Sequence, residues 1–82
     1  MIMTVKEAVV IRFQYLCKQR SINYNELAVC AGVTPSTVYS MMDGNRKDVS
    51  VITNKKLCDG LEISISDFFD CEIFRNLEQE IK

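Results

Sequence analysis

The stretch that decides the fold lies between residues 27 and 44 and reads LAVCAGVTPSTVYSMMDG. Gly32 ends one helix, because helices commonly stop at a left-handed residue and glycine adopts that conformation most easily. Thr34 and Pro35 start another, since a capping hydroxyl followed by proline at the first position is typical of a helix N-terminus. The sequence therefore predicts two short helices joined by a tight turn, the second reaching Met42.

These two helices must cross at a steep angle, because one glycine and one apolar residue separate them from the next cap. The small side chains of Ala28 and Ala31 let the second helix seat closely across the first. Such an arrangement is a helix-turn-helix, whose second helix protrudes far enough to enter the major groove of DNA.

Similar start signals outside this stretch predict three more helices. Their caps are Thr4, with Glu7 three residues on, then Ser50, and then Ser64 before a short last turn; Asn23 with Glu26 opens the helix that Gly32 ends. The side chains expected to face inward are Val9, Val10, Phe13, Leu16, Cys17, Leu27, Val38, Met41, Val51, Leu57, Cys58, Leu61, Phe68 and Phe69. Since no alternating strand pattern occurs, we expect an all-α bundle of five short helices.

Charge is divided unevenly along the 82 residues. Residues 1–56 carry a net +4 and residues 57–82 a net −5, which leaves −1 overall. A polyanionic partner should therefore meet the N-terminal two-thirds of the chain. We expect a domain over residues 1–70 and an acidic tail over residues 71–82.

Metal binding and catalysis find little support in the composition. Cys17, Cys30, Cys58 and Cys71 form no Cys-x-x-Cys pair, and the chain has no histidine, so reduced thiols packed as apolar side chains are favoured over a zinc site. Without histidine or a glycine-rich phosphate loop, enzyme machinery is not visible, and no cofactor is expected. Neither a signal peptide nor an apolar span long enough for a membrane is seen, so a cytoplasmic location is expected.

The helix-turn-helix stretch resembles the Cro and lambda-repressor-like (Xre-type) family of transcriptional regulators. The resemblance covers roughly residues 5–70 and runs through all five helices in register, including Leu27-Ala28, Ala31-Gly32-Val33, Thr34 to Val38, Gly44, Leu57 to Ile63 and Asp67-Phe68-Phe69. It implies a lambda-repressor-like DNA-binding domain that acts in transcriptional control, with repression as the expected role.

Site residues follow from the resemblance position by position. It implies base contacts from Pro35, Ser36, Thr37, Tyr39 and Ser40, and phosphate contacts from Asn23, Tyr24, Thr34, Asn45, Arg46 and Lys47. Each contact has a competing interpretation: the hydroxyls could bond locally, Tyr39 could pack on a neighbouring helix, and Arg46 with Lys47 could be solvated. Because residues 35–42 contain no Arg, Lys, Asn or Gln, the side chains that read bases by paired hydrogen bonds, we predict modest sequence discrimination.

The sequence departs from the family at positions where relatives form a buried arginine–carboxylate pair. Cys17 and Met42 stand there, which predicts an apolar contact instead. Asn54 replaces a side chain that is usually apolar in relatives, so the fourth helix is expected to pack less tightly.

Geometry predicts a homodimer on two DNA half-sites, because one small domain buries little DNA surface. The candidate dimer surface is the fifth helix with the tail, whose apolar side chains recur at near-helical spacing: Phe69, Ile73, Phe74, Leu77 and Ile81. The alternative is that these side chains fold back on their own domain or fray.

Two further functions remain open from the sequence. A protein-interaction module with this fold, such as an antitoxin or regulatory adaptor, is supported by the acidic balance and the missing base-reading side chains. A thiol switch at Cys30 has weaker support. No small-molecule effector is expected, since the chain has no room for a separate sensing domain.

Overall fold

Five α-helices form around the caps that the sequence predicts. The computed structural model describes residues 3–46 and 48–81. The helices are α1 (Val5–Gln19), α2 (Tyr24–Ala31), α3 (Pro35–Met42), α4 (Val51–Gly60) and α5 (Ile65–Phe69), followed by a 3-10 turn at Glu72–Phe74. None of the helices within these ranges is long and apolar enough to cross a membrane.

Local hydrogen bonds explain where the helices begin and end. Thr4 Oγ1 accepts from the backbone N–H of Glu7, and the Glu7 carboxylate accepts from the backbone N–H of Thr4, as the capping pattern predicts. Asn23 and Glu26 repeat this arrangement at the start of α2. Gly32 ends α2 with a φ of +70°, which confirms the predicted left-handed stop.

The core lies where all five helices converge. The Phe13 ring of α1 packs on the Phe68 ring of α5 with centroids 4.4 Å apart. Leu27, Val38 and Leu57 bring α2, α3 and α4 to the same centre, and all three are fully buried. Burying five such side chains contributes about 1.5–3 kcal/mol each, which is what holds short helices that would not persist alone.

Two arginines, Arg12 in α1 and Arg20 directly after it, donate hydrogen bonds to backbone carbonyl groups at the C-terminal ends of α5 and α4. Arg12 donates to the carbonyl oxygens of Phe68 and Asp67 at 3.0 and 3.1 Å. Arg20 donates to the carbonyl oxygen of Leu61 at 3.2 Å. Both guanidinium groups therefore have a hydrogen-bond partner within the fold; Arg12 is half-buried, whereas Arg20 stays exposed.

The tail departs from the helical spacing of its apolar residues. A single 3-10 turn brings Phe74 against Phe68 and Phe69, with ring centroids 5.8 and 4.8 Å apart. The chain then runs beside the N-terminus, where the backbone N–H of Glu78 donates to the carbonyl of Met3 at 2.8 Å. In residues 70–81 the 3-10 turn is thus the one helical segment, and the chain follows its contacts with α5 and residue 3.

Val51 is a second departure from the predicted pattern. It was expected to face inward, yet 71% of its surface is exposed. The first turn of α4 borders an open groove, lined on this side by Ser50 and Thr53, instead of a packed neighbour. Phe69, also expected inside, is 39% exposed.

Asn54 is buried in α4 with only half of its amide satisfied. The side chain is 2% exposed, its nitrogen lies 3.8 Å from Cys58 Sγ, and its oxygen has no hydrogen-bond partner within the described ranges. A buried polar atom left without a partner costs about 1–3 kcal/mol.

Replacing Asn54 with leucine, a side chain of similar shape, is expected to raise the free energy of unfolding by about 1–2 kcal/mol, because the unpaired oxygen is removed. Urea denaturation of the wild type and of Asn54→Leu measures this. Asn25→Leu, the same exchange on the exposed face of α2, serves as the control. A loss of stability in Asn54→Leu would show that the amide oxygen is satisfied in solution.

Candidate nucleic-acid interface

Three hydroxyl groups cluster at the N-terminus of α3. Thr34 Oγ1 accepts from the backbone N–H of Thr37 and lies 3.0 Å from Ser36 Oγ and 2.9 Å from Thr37 Oγ1. Ser36 and Pro35 are exposed, whereas Thr37 is half-buried. The local hydrogen bonds anticipated for these residues therefore exist, and Thr34 and Ser36 are the exposed hydroxyls of the cluster.

Tyr39 combines the two roles that the sequence left open. Its ring packs edge-on against Tyr24 with centroids 5.5 Å apart, but 53% of its surface stays exposed. Tyr24 is half-buried and hydrogen-bonds Gln14 of α1; burial is the main cause that raises the pKa of its phenol. The Tyr24 ring therefore supports one edge of Tyr39 while the rest of Tyr39 faces solvent beside α3.

The start of α2 lies next to this pair of rings. Asn23 Oδ1 accepts from the backbone N–H of Glu26 at 2.8 Å, so this side chain is first of all a cap. Lys18 of α1 borders the same shallow recess as Asn23, Tyr24 and Tyr39 and is exposed. A cation thus lies beside two of the residues expected to contact phosphate.

An open groove of about 330 Å³ separates α3 from the start of α4. On the α3 side it is lined by Ser36, Thr37 and Ser40, and opposite them lie Ser50 and Thr53. From the sequence, Ser50 was predicted only as a helix cap, and Thr53 was not predicted to line the interface. Their hydroxyls extend the polar surface of α3 across the groove. In the sequence, the one feature that pointed to these residues was the capping role of Ser50 in α4.

Arg46 contributes the cationic side of this groove. It is exposed and forms no ion pair with any described residue. The turn that carries it is held by Asp43, which accepts from the backbone N–H groups of Asn45 at 2.9 Å and Arg46 at 3.1 Å. Asn45 is exposed in the same turn. Lys47, the remaining predicted phosphate contact, lies outside the described residues.

Two cations of the described chain have carboxylate partners. Lys55 pairs with Asp59 within α4, and Arg75 pairs with Asp70 and Glu72 in the tail. Arg46 and Lys18 are exposed and without an ion pair among the described residues, and they lie around α2 and α3; Lys56 is a further such cation on α4. All three belong to residues 1–56, in line with the charge asymmetry along the sequence.

The thiols differ sharply in exposure. Cys17 and Cys58 are buried, Cys71 is half-buried and Cys30 is exposed. Burial raises the pKa of the Cys17 thiol, and it raises the pKa of Cys58 to about 11. Buried thiols with a raised pKa are poor nucleophiles, so Cys30 is the cysteine open to reagents.

Alkaline pH is expected to destabilise the fold through Cys58. Unfolding lets this thiol ionise from about pH 9, whereas the folded state keeps it neutral to about pH 11. The free energy of unfolding should therefore fall as pH rises through this range, and the fall should be smaller in Cys58→Ala. Urea denaturation from pH 8 to pH 10.5, with ~0.5-unit steps, measures both slopes. Parallel slopes in the two proteins would contradict the role of Cys58.

Comparisons with known proteins agree with this geometry. The family model described as Cro/C1-type HTH DNA-binding domain matches residues 12–72. A solved structure, "Crystal structure of the prophage Lp1 protein 11", is 33% identical, covers 93% of this chain and 100% of its own, and superposes with a TM-score of 0.79. In the comparison with curated proteins, none matches the chain.

Proposed function

Because the chain belongs to the family of Cro/C1-type helix-turn-helix DNA-binding domains, we propose that it binds double-stranded DNA with α3 in the major groove and represses transcription. The observation that carries this proposal is the position of α3. Its N-terminal residues are exposed, and they lie between Arg46 on one side and the start of α2 on the other.

Base edges would meet Pro35, Ser36, Tyr39 and Ser40 under this proposal, with Thr37 behind them. Hydroxyls and one phenol read bases less selectively than the paired hydrogen bonds of Arg, Asn or Gln, each worth about 1–3 kcal/mol of discrimination. DNA shape would then supply much of the preference for one sequence over another.

Phosphates would be bound around this helix. Arg46 with Asn45 and Lys47 would hold one stretch of backbone, and Asn23 with Tyr24 would hold another, helped by the N–H groups of the α2 N-terminus. Thr34, whose hydroxyl is used for capping, would reach phosphate only at the edge of the contact.

Removing Arg46 tests the phosphate contact. Arg46→Ala is expected to weaken binding to a fluorescein-labelled duplex. The slope of log K against the logarithm of the salt concentration should become shallower by about one, because one fewer counterion is released. Fluorescence anisotropy at several salt concentrations measures both. Lys56→Ala removes an exposed charge of α4 outside the groove and should keep the wild-type slope. Equal slopes for wild type and Arg46→Ala would remove Arg46 from the interface.

We further propose that the protein acts as a homodimer, since paired half-sites give a small domain useful affinity. In the single chain, Ile73, Phe74 and Leu77 are half-buried against their own domain. The predicted dimer residues that keep most surface are Phe69, at 39% exposure, and Ile81, at 86%. Sedimentation equilibrium of the full chain with and without duplex measures the stoichiometry, and one chain per two half-sites would contradict the proposal.

A protein-interaction module is the second candidate function. It is favoured by apolar side chains left open on α2 and α4, where Val29, Val51 and Ile52 are 80%, 71% and 67% exposed. Folded protein that fails to bind duplex at low salt would favour this function over DNA binding.

A further inference from the structure

A second concave site lies on the other side of Arg46, between α1 and the end of α3. It is a cleft of about 430 Å³. Its walls are largely apolar and include Val10, Ile11 and Met42, and its polar border includes Lys6, Gln14 and Arg46. Sites for small molecules are clefts of about this size, about 300–1,000 Å³, that combine apolar walls with a few polar groups.

Lys6 is the unusual member of this cleft. The residue is only 6% exposed, and its ammonium nitrogen is buried without a hydrogen-bond partner in the described part of the chain. A buried ammonium is costly unless an anion pairs with it. The flexible four-carbon stem of lysine lets the ammonium turn toward such an anion.

The carboxylate already present in the cleft has another task. Glu7 Oε1 accepts from the backbone N–H of Thr4 at 2.9 Å and lies 3.1 Å from Thr4 Oγ1, closing the cap of α1. Glu7 also follows Lys6 directly in the helix, and consecutive side chains do not face each other. Since Glu7 is the one carboxylate among the residues that line the cleft, a ligand entering the cleft could supply the anion for Lys6.

We propose that this cleft binds a small organic carboxylate with an apolar chain. The apolar body would lie against Val10, Ile11 and Met42, and the carboxylate would pair with Lys6 and Arg46. A regulatory link follows, which rests on the proposed function: pairing with the ligand would withdraw Arg46 from DNA phosphate. The ligand would therefore weaken DNA binding, and DNA would weaken ligand binding by the same factor. This differs from the expectation that no small-molecule effector is used.

Octanoate and octanamide, which share a chain length but differ in charge, serve as probes. We expect millimolar octanoate to shift the backbone amide resonances of Lys6, Val10, Met42, Gly44 and Arg46 in the full-length protein. Binding of octanamide should be about tenfold weaker, since a hydrogen bond to a charged group is stronger than a neutral one. Equal affinity for both probes, or octanoate shifts that lie outside the cleft, would overturn the proposal.

Lys6→Met separates charge recognition from packing. Methionine keeps the apolar stem without the buried charge, so the variant should fold at least as stably and prefer octanoate less strongly than the wild type, with the remaining preference coming from Arg46. Lys56→Met, on the exposed face of α4, should keep the wild-type preference. A preference for octanoate as large in Lys6→Met as in the wild type would overturn the role of Lys6.

A competition experiment tests the link to DNA. Octanoate is expected to raise the Kd of the wild type for a labelled duplex, and to raise that of Lys6→Met less at the same concentration, because the variant binds octanoate more weakly. Octanoate bound in the cleft with no change in duplex affinity would overturn the regulatory link. Failure of the protein to bind duplex without octanoate would instead contradict the proposed function. The resonance shifts of the DNA-free protein would still show whether octanoate binds in the cleft.

Discussion

Ser36→Glu is expected to abolish specific DNA binding while leaving the protein folded. Ser36 is exposed at the second position of α3, where a carboxylate interacts favourably with the helix dipole by about 0.3–1 kcal/mol. At the same place it would face the phosphates and base acceptors of a major groove, and such like-charge contact costs several kcal/mol. We expect the Kd for duplex DNA to rise at least about 100-fold.

Ser66→Glu is the matched control for this change. Ser66 is exposed at the second position of α5, so the new charge and its place in a helix are the same while the surface differs. Anisotropy titrations should give near wild-type affinity for Ser66→Glu, and urea denaturation should find both variants at least as stable as the wild type. Similar losses of affinity in both variants would mean that net charge, and not contact by α3, governs binding.

Gly60→Ala is expected to be the most damaging small substitution in the fold. A Cβ at this position would lie 2.8 Å from the backbone nitrogen of Ala31 and 2.9 Å from the carbonyl carbon of Cys30. Since these are backbone atoms, α2 would have to move away from α4. We expect a net loss of about 2–3 kcal/mol in the free energy of unfolding, despite the better helix propensity of alanine.

Gly44→Ala provides the comparison for Gly60→Ala. Nothing lies within 4 Å of a Cβ built at Gly44, and its φ is not in the left-handed region. The free energy of unfolding of Gly44→Ala should stay within about 0.5 kcal/mol of the wild-type value, as for other surface changes. Thermal denaturation followed by circular dichroism measures both variants. Equal melting temperatures for Gly60→Ala and the wild type would show that α2 and α4 lie farther apart than the 2.8 Å approach implies.

The helices were predictable from sequence because their ends are marked by local chemistry. Thr4, Asn23, Thr34, Ser50 and Ser64 each accept a hydrogen bond from the backbone three residues on, so each cap is a short-range interaction visible in the sequence. The tail has no such mark. Cys71 precedes its 3-10 turn without a side-chain cap, and contacts with Phe68 and residue 3 determine its course.

The candidate interface was predictable only in part. Residues of α3 and the following turn could be placed by their order in the chain, but the partners that modify them come from elsewhere. Tyr24 reaches Tyr39 because α2 and α3 cross, and Thr53 faces Ser40 across a groove because α4 begins there. Such contacts depend on crossing angles, which the spacing of residues does not specify.

The burial of Lys6 is another feature that the sequence did not predict. Lysine in the first turn of a helix is expected to be solvated, and nothing in its neighbours along the chain suggests otherwise. It is buried in α1 at a cleft that residues distant in sequence, Met42, Gly44 and Arg46, also line. The cleft therefore had no signal in the sequence.

Chemical-shift mapping with duplex DNA tests most directly whether α3 and its flanks form the DNA-binding surface. We expect a duplex to perturb the backbone amides of residues 23–26, 34–40 and 44–46 in the ¹⁵N-labelled protein, with the amides of α5 and the tail unchanged. Perturbations confined to the exposed apolar side of α4 or to the tail, or no perturbation at low salt, would contradict the assignment of this surface to DNA.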